Sequence, residues 1–233
     1  MLGLPPLENF GLGRLRQSGP RPGVVSLYPI LDTALLASYG HSLVDALEAT
    51  IDAGADWIQV RHKADFDRDF LCALEACAHR KPDLILNDRA DYAALFGLGL
   101  HVGQDDLPPI EARRIIGPNA RLGISTHNAL QLEAASAEPV DYIAIGPIFA
   151  TQTKTNPDPV VGLQQFHSSL PLVAIGGITL DNAAQVLSMG IEKVAVISAL
   201  WQPPYTLKSF RKNIERWQHL LNSFKASASS TPP

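Results

Sequence analysis

The chain has 233 residues, 46% of them apolar and 18% charged, with a net charge of −4 and a mean hydropathy near zero. Such a chain buries a core without a disulfide or metal staple. It carries no basic nucleic-acid footprint and no run of ~18 apolar residues that would span a membrane. Its two cysteines, Cys72 and Cys77, make no disulfide framework or CxxC pair and read as small apolar helix residues.

Residues 1–23 are rich in Gly and Pro and read as a loosely ordered extension. They lack the ~7–15-residue apolar core of a signal peptide. Arg14, Arg16 and Arg21 against the single acid Glu8 leave a transit peptide as the alternative. Residues 225–233 are Lys, Ala, Ser, Thr and Pro and read as a disordered tail. Residues 24–224 form one domain in this reading, because no linker divides them.

Within that domain short apolar runs alternate with helix-like stretches. Strands are expected at 25–31, 56–61, 83–87, 99–102, 121–124, 140–145, 171–175 and 192–197. Each is short and nearly continuously apolar, as parallel strands covered on both faces are. Leu43, Leu47 and Ile51 recur at helical spacing before Gly54, a C-terminal stop; Gly97 and Gly190 have the same place. Thr179 or Asp181 is expected to cap a helix running to Met189. The last helix, 206–224, carries Leu207, Phe210, Ile214, Trp217 and Leu221 on one stripe. Eight strands, each followed by a helix, predict an α/β fold, a single-domain (β/α)8 TIM barrel; a doubly wound open sheet uses the same alternation.

A barrel of this kind builds its site at the C-terminal ends of the strands. The second strand ends in Gln59, Arg61 and Lys63, which share one face by period 2. Inward Gln and Arg are costly unless they bind something. They suit an anionic heteroaromatic substrate, or a salt bridge to a barrel carboxylate. The third strand ends in Asn87-Asp88, and the fourth leads through His101 to Asp105 and Asp106. Neighbouring strands bring Asp88 and Asp106 together, a pair suited to Mg2+ shared with substrate phosphates. Asp105-Asp106-Leu-Pro-Pro also reads as a helix start. Ser125 or Thr126, ending the fifth strand, reads first as a helix cap, and His101 and His127 read as structural.

The sixth strand opens a long loop, 146–162, in which Thr151, Thr153 and Lys154 offer hydroxyls and a cation to a phosphate. Loops of this length are lids or binding loops, or plain surface. The Gly176-Gly177 pair after the seventh strand and Ser198 after the eighth match the recurrent phosphate site of such barrels.

The same residues resemble the thiamine phosphate synthase family. The matching stretches are Gln59–Lys63, Asn87-Asp88-Arg89, His101–Pro108, Gly123–His127, Gly146–Lys154, Ala174–Ile178 and Val194–Ser198, in family order. The resemblance implies a transferase that condenses 4-amino-2-methyl-5-(diphosphooxymethyl)pyrimidine with 4-methyl-5-(2-phosphoethyl)thiazole, giving thiamine phosphate and pyrophosphate. It implies that Gln59, Arg61, Lys63, Asn87, Ser125 and Lys154 hold the pyrimidine diphosphate, with Arg61, Lys63, Ser125 and Lys154 assisting the chemistry. Asp88 and Asp106 would bind Mg2+. Thr151, Thr153, Gly177, Ile197 and Ser198 would hold the thiazole phosphate. The implied partners are small molecules; the charge and the lack of a span exclude nucleic acid and membrane, the absence of targeting signals places the chain in the cytoplasm, and a homo-oligomer stays open. His62 stands where the family usually has Glu, and Pro29 interrupts the first strand. By alternation position 62 faces away from Gln59 and Arg61. A thiazole tautomerase of the same fold and a non-catalytic phosphate-binding barrel are the rivals.

Overall fold

The computed structural model describes residues 26–81, 83–151, 158–191 and 193–228. Eight parallel strands close on themselves in sequence order. They are β1 (Ser26–Asp32), β2 (Gln59–Arg61), β3 (Ile85–Asn87), β4 (Gly99–Val102), β5 (Leu122–Thr126), β6 (Tyr142–Ile145), β7 (Leu172–Ile175) and β8 (Lys193–Val196). The predicted strands all form, and the (β/α)8 barrel is the fold.

The helices are less regular than the expected one per strand. Two follow β1: α1 (Thr33–Ser38) and α2 (Leu43–Asp52). Then come α3 (Arg68–Arg80), α4 (Ala90–Leu95), α5 (Pro109–Ile116) and α6 (Ala129–Ala135), each after one strand. Between β6 and β7 the described residues form no helix, a correction to the expected alternation. A short α7 (Ala183–Leu187) follows β7; a 3-10 turn at Ser198–Leu200 and α8 (Leu207–Ala228) follow β8. The long α8 continues through 225–228, part of the expected disordered tail. The extension 1–23 and residues 229–233 lie outside the described residues.

Strand parity sorts the chain into two cores. Leu27, Leu31, Val60, Leu86, Leu100 and Ile143 point outward and meet buried helix residues such as Leu47, Leu74, Phe210 and Trp217. Tyr28, Ile30, Ile85, Tyr142, Ala144, Val173 and Ala195 point inward and fill the barrel. Pro29 is accommodated because β1 pairs with β8 up to Pro29 and with β2 from Ile30. The residue without an N–H stands where the strand changes hydrogen-bonding partner. On α3, Cys77 is buried whereas Cys72 is exposed, and both are free; burial pushes the Cys77 thiol up to about 11.

Candidate active site

The inward parity that fills the barrel also builds its mouth. Continued past the core, it aims Asp32, Arg61, Asn87, Ser125, Ile175 and Ile197 toward the C-terminal end. There a cleft, partly open to solvent, is lined by residues of all eight strands or the loops after them. Its walls include Gln59, Arg61, Asn87 and Ser125 on one side and Thr151, Gly177, Ile197 and Ser198 on the other. The sequence-expected residues on β2, β3, β5, β7 and β8 are thereby brought together. Thr153 and Lys154 lie outside the described residues.

The cations are held by carboxylates. Arg61 Nη1 donates to Asp32 Oδ2, its register neighbour on β1. Asp32 is nearly buried, and its other oxygen caps α1 by accepting from Leu35 N at 3.0 Å. Sequence reasoning missed Asp32. The available signal was the row Tyr28, Ile30, Asp32, which carries the inward parity of β1 to its last residue. The ion-pair reading of Arg61 is realised in its bond to Asp32, and the same side chain lines the cleft.

Lys63 Nζ donates to Asp88 Oδ2. Asp88 has a left-handed φ of 66°. Its carboxyl is held above the ordinary carboxylate range, by burial first and by contact with Asp106, against the pull of Lys63. Asp106 Oδ2 in turn accepts from Gly103 N at 2.7 Å. It does not cap α5, whose N-cap is Pro108 without a side-chain bond. Asp105 is exposed beside it. Two converging carboxylates with one lysine carry surplus negative charge, which suits a divalent cation. Among the described residues no three His, Cys, Asp or Glu side chains cluster as a metal site. A cation here would take its remaining ligands from water and substrate.

The serine expectation changes. Ser125 and Thr126 are not caps: α6 is capped by Asn128, whose side chain accepts from Gln131 N at 2.9 Å. Thr126 Oγ1 donates to Ala144 O. Ser125 Oγ lies 2.9 Å from His101 Nε2, and His101 Nδ1 lies 2.9 Å from the Tyr142 hydroxyl. His101 is buried among these bonds, as its structural reading has it, and lines the cleft. His127 lines the cleft as well, with Nδ1 donating to Gly146 O at 2.6 Å. His62 turns outward as expected, its ring stacked on Phe70 at 3.7 Å and Nδ1 2.7 Å from Thr33 Oγ1.

The loops after β6 and β7 are clasped together. Ile148 N and Phe149 N donate to Ile175 O and Gly176 O. Gly176 and Gly177 have φ of 96° and 63°, and a Cβ on Gly177 would stand 2.5 Å from Ala150 O. Neither steric space nor backbone conformation admits a side chain there. Asn182 braces the turn, accepting from Thr179 N at 2.8 Å and donating to Gly177 O at 2.9 Å. It is also the N-cap residue of α7, in place of the expected Thr179 or Asp181, and α7 stops at Leu187 rather than Met189.

The fold and the cleft define a (β/α)8 barrel with a polar, arginine-bearing cleft at the strand ends. Comparison with known proteins narrows this. Residues 27–200 match the family model described as thiamine monophosphate synthase. The thiamine-phosphate synthase of Koribacter versatilis is 47% identical over 66% of this chain and 77% of its own length. That of Azorhizobium caulinodans is 37% identical over 82% and 94%. The thiamine phosphate pyrophosphorylase of Pyrococcus furiosus superposes with a TM-score of 0.70 at 26% identity, covering 87% of this chain and 98% of that one. The chain belongs to the thiamine monophosphate synthase family, and as a member it is a transferase.

Proposed function

We propose that the chain joins 4-amino-2-methyl-5-(diphosphooxymethyl)pyrimidine to 4-methyl-5-(2-phosphoethyl)thiazole, releasing pyrophosphate and thiamine phosphate, in a Mg2+-assisted dissociative substitution. The observation that carries this reading is the two-sided cleft beside the converging carboxylates. One wall offers Gln59, Arg61, Asn87 and Ser125, the other Thr151, Gly177, Ile197 and Ser198, and Asp88 with Asp106 lies next to the first.

In this reading Asp88 and Asp106 are the residues that would hold Mg2+. Bound there, the cation neutralises charge on the leaving group. Arg61 and Lys63 bring further positive charge to the departing oxygens, with Lys154 as a third cation in the loop after β6. Asn87 and Ser125 orient the pyrimidine diphosphate. Gly177 and the Ile197-Ser198 turn fix the thiazole phosphate, with Thr151 and Thr153 beside it, so that the ring nitrogen approaches the carbon losing pyrophosphate. No protein nucleophile is required. A tautomerase would need neither the carboxylate pair nor Arg61. Free Cys72 on the surface agrees with a reducing, cytoplasmic setting, and no described helix is long and apolar enough to cross a membrane.

Metal removal tests the mechanism. With both substrates present, EDTA is expected to abolish synthesis and added Mg2+ to restore it. Full activity in EDTA would remove Asp88 and Asp106 from the account.

Arg61→Ala separates binding from folding. It should raise KM for the pyrimidine diphosphate at least about tenfold. It should also cost on the order of 3 kcal/mol in urea unfolding, because Asp32 is left buried without its cation. Adding Asp32→Asn should return most of the stability and none of the affinity. If the double variant recovers KM, Arg61 serves only the ion pair.

A further inference from the structure

Two asparagines hold the turns assigned above to the thiazole phosphate. After β7 the turn passes through Gly176 and Gly177, with φ of 96° and 63°, a conformation that glycine adopts freely. Glycine brings no side chain to keep it there, so the turn is fixed through its backbone oxygens. Ile175 O and Gly176 O accept from Ile148 N and Phe149 N. Gly177 O, the next in the row, accepts from Asn182 Nδ2 at 2.9 Å, and Asn182 Oδ1 accepts from Thr179 N at 2.8 Å. After β8, Leu200 N donates to Ile197 O and Trp201 N to Ser198 O, closing the second turn. Asn213 Nδ2 donates to Ala199 O at 2.8 Å and to Leu200 O at 3.0 Å, tying that turn to α8. Gly177, Ile178, Ser198 and Ala199 line the cleft, whereas both asparagines stand outside it.

Local structure accounts for neither asparagine. Asn182 begins α7, where an Asn side chain ordinarily accepts from the first N–H groups of its own helix. Its side chain makes no such bond and reaches back to the turn. Asn213 lies inside α8, where Asn is a poor helix former. It is 2% exposed, and a buried amide is costly without partners; the carbonyls after β8 are its partners.

The bonds also set the direction of a peptide group. In a trans peptide the C=O and the next N–H lie in one plane and point opposite ways. With Gly177 O drawn to Asn182, the Ile178 N–H faces away from Asn182. Released, this peptide follows two glycines and is free to turn over.

We propose that Asn182 and Asn213 are positioning residues for the thiazole phosphate, holding the two turns from behind so that the Ile178 N–H and the Ile197-Ser198 turn meet the phosphate in fixed places. Neither side chain touches substrate, so their loss falls on one side of the cleft only. The inference rests on the substrate assignment above, and its test separates the two.

Asn182→Ser is the cleanest variant. Ser begins a helix as well as Asn does, and it has one polar atom where the bridge uses two. KM for the thiazole phosphate should rise at least about tenfold, with KM for the pyrimidine diphosphate unchanged. Asn213→Ala should show the same split, at a cost in thermal stability that Asn182→Ser does not share. An unchanged KM for the thiazole phosphate in Asn182→Ser, or equal rises for both substrates, would overturn the proposal. Inorganic phosphate reads the brace without either substrate. In 1H–15N spectra of the full chain the Gly177 and Ile178 amide signals should move as phosphate is added, with an apparent Kd at least about tenfold weaker in Asn182→Ser. No movement in the parent, or an equal Kd in the variant, would overturn the proposal whether or not the enzyme makes thiamine phosphate. A parent that makes no thiamine phosphate, yet shows the phosphate response and its weakening in Asn182→Ser, would overturn the substrate assignment and uphold the brace.

Discussion

Replacing Asp88 with Asn should lower synthesis at saturating Mg2+ by about a thousand-fold or more, and should not lower the stability of the metal-free protein. The thousand-fold loss corresponds to about 4 kcal/mol of transition-state stabilisation, the several kcal/mol that a cation on a leaving phosphate supplies. Asn is the informative substitution because Asp88 has a φ of 66°. Asn tolerates the left-handed region, whereas Ala would add a backbone cost of about 1 kcal/mol.

The stability half follows from the raised carboxyl of Asp88. A carboxyl whose folded pKa exceeds its unfolded value binds more protons in the native state between those two values. Stability therefore falls as pH climbs through that window, and the penalty persists at neutral pH. The neutral amide of the Asp88→Asn variant carries no such penalty. In EDTA at pH 7 the variant should melt at or above the parent's temperature, and the parent should gain on it as the pH drops through the window. Parent-like activity would remove Asp88 from the metal site. A variant that melts lower at pH 7 would contradict the electrostatic account of the pair.

Gly123→Ala should be a severely damaging single methyl in the barrel. Gly123 on β5 is the register partner of Tyr142 on β6, and a Cβ at 123 would stand 2.0 Å from Tyr142 Cζ. The ring cannot retreat. It is fully buried, edge-on to Tyr28 and Trp57 at centroid distances of 5.9 and 5.0 Å. Overpacking of this severity costs about 3 kcal/mol or more, a large share of the ~5–15 kcal/mol that holds a domain together. Thermal unfolding should move down by roughly 6–12 °C for a chain of this size, or the variant should fail to accumulate. Gly97→Ala is the control, since nothing lies within 4 Å of a Cβ there and only its positive φ is strained. Tyr142→Leu in the Gly123→Ala background should recover much of the loss by making room. A Gly123→Ala protein that melts within about 2 °C of the parent would contradict this packing.

The eight strands are legible because each is a short apolar run between turn residues, and parity along them already aims Gln59 and Arg61 into the barrel. That the described residues between β6 and β7 form no helix is not legible, because alternation is a rule about averages and Ile148 and Phe149 there are pinned to the end of β7. Ser125 reads as a cap because a hydroxyl after a strand usually is one. Its partner His101 is 24 residues away, and His101 in turn meets Tyr142, 41 residues from it, a relation that only barrel closure creates. Asp32 hides for the same reason: its role comes from lying beside Arg61 across β1 and β2. Strand adjacency is enough to pair Asp88 with Asp106. The charge surplus that suits a cation becomes visible only when Lys63 is seen to answer one carboxylate and not both.

The central claim is bond formation between two phosphorylated heterocycles in one cleft. The most direct measurement incubates the full chain with the pyrimidine diphosphate, the thiazole phosphate and Mg2+, and quantifies all products. Thiamine phosphate and pyrophosphate should appear in equal amounts, and neither should appear when one substrate is left out. An isomerised thiazole as the sole product, or pyrophosphate released without thiamine phosphate, would contradict the account.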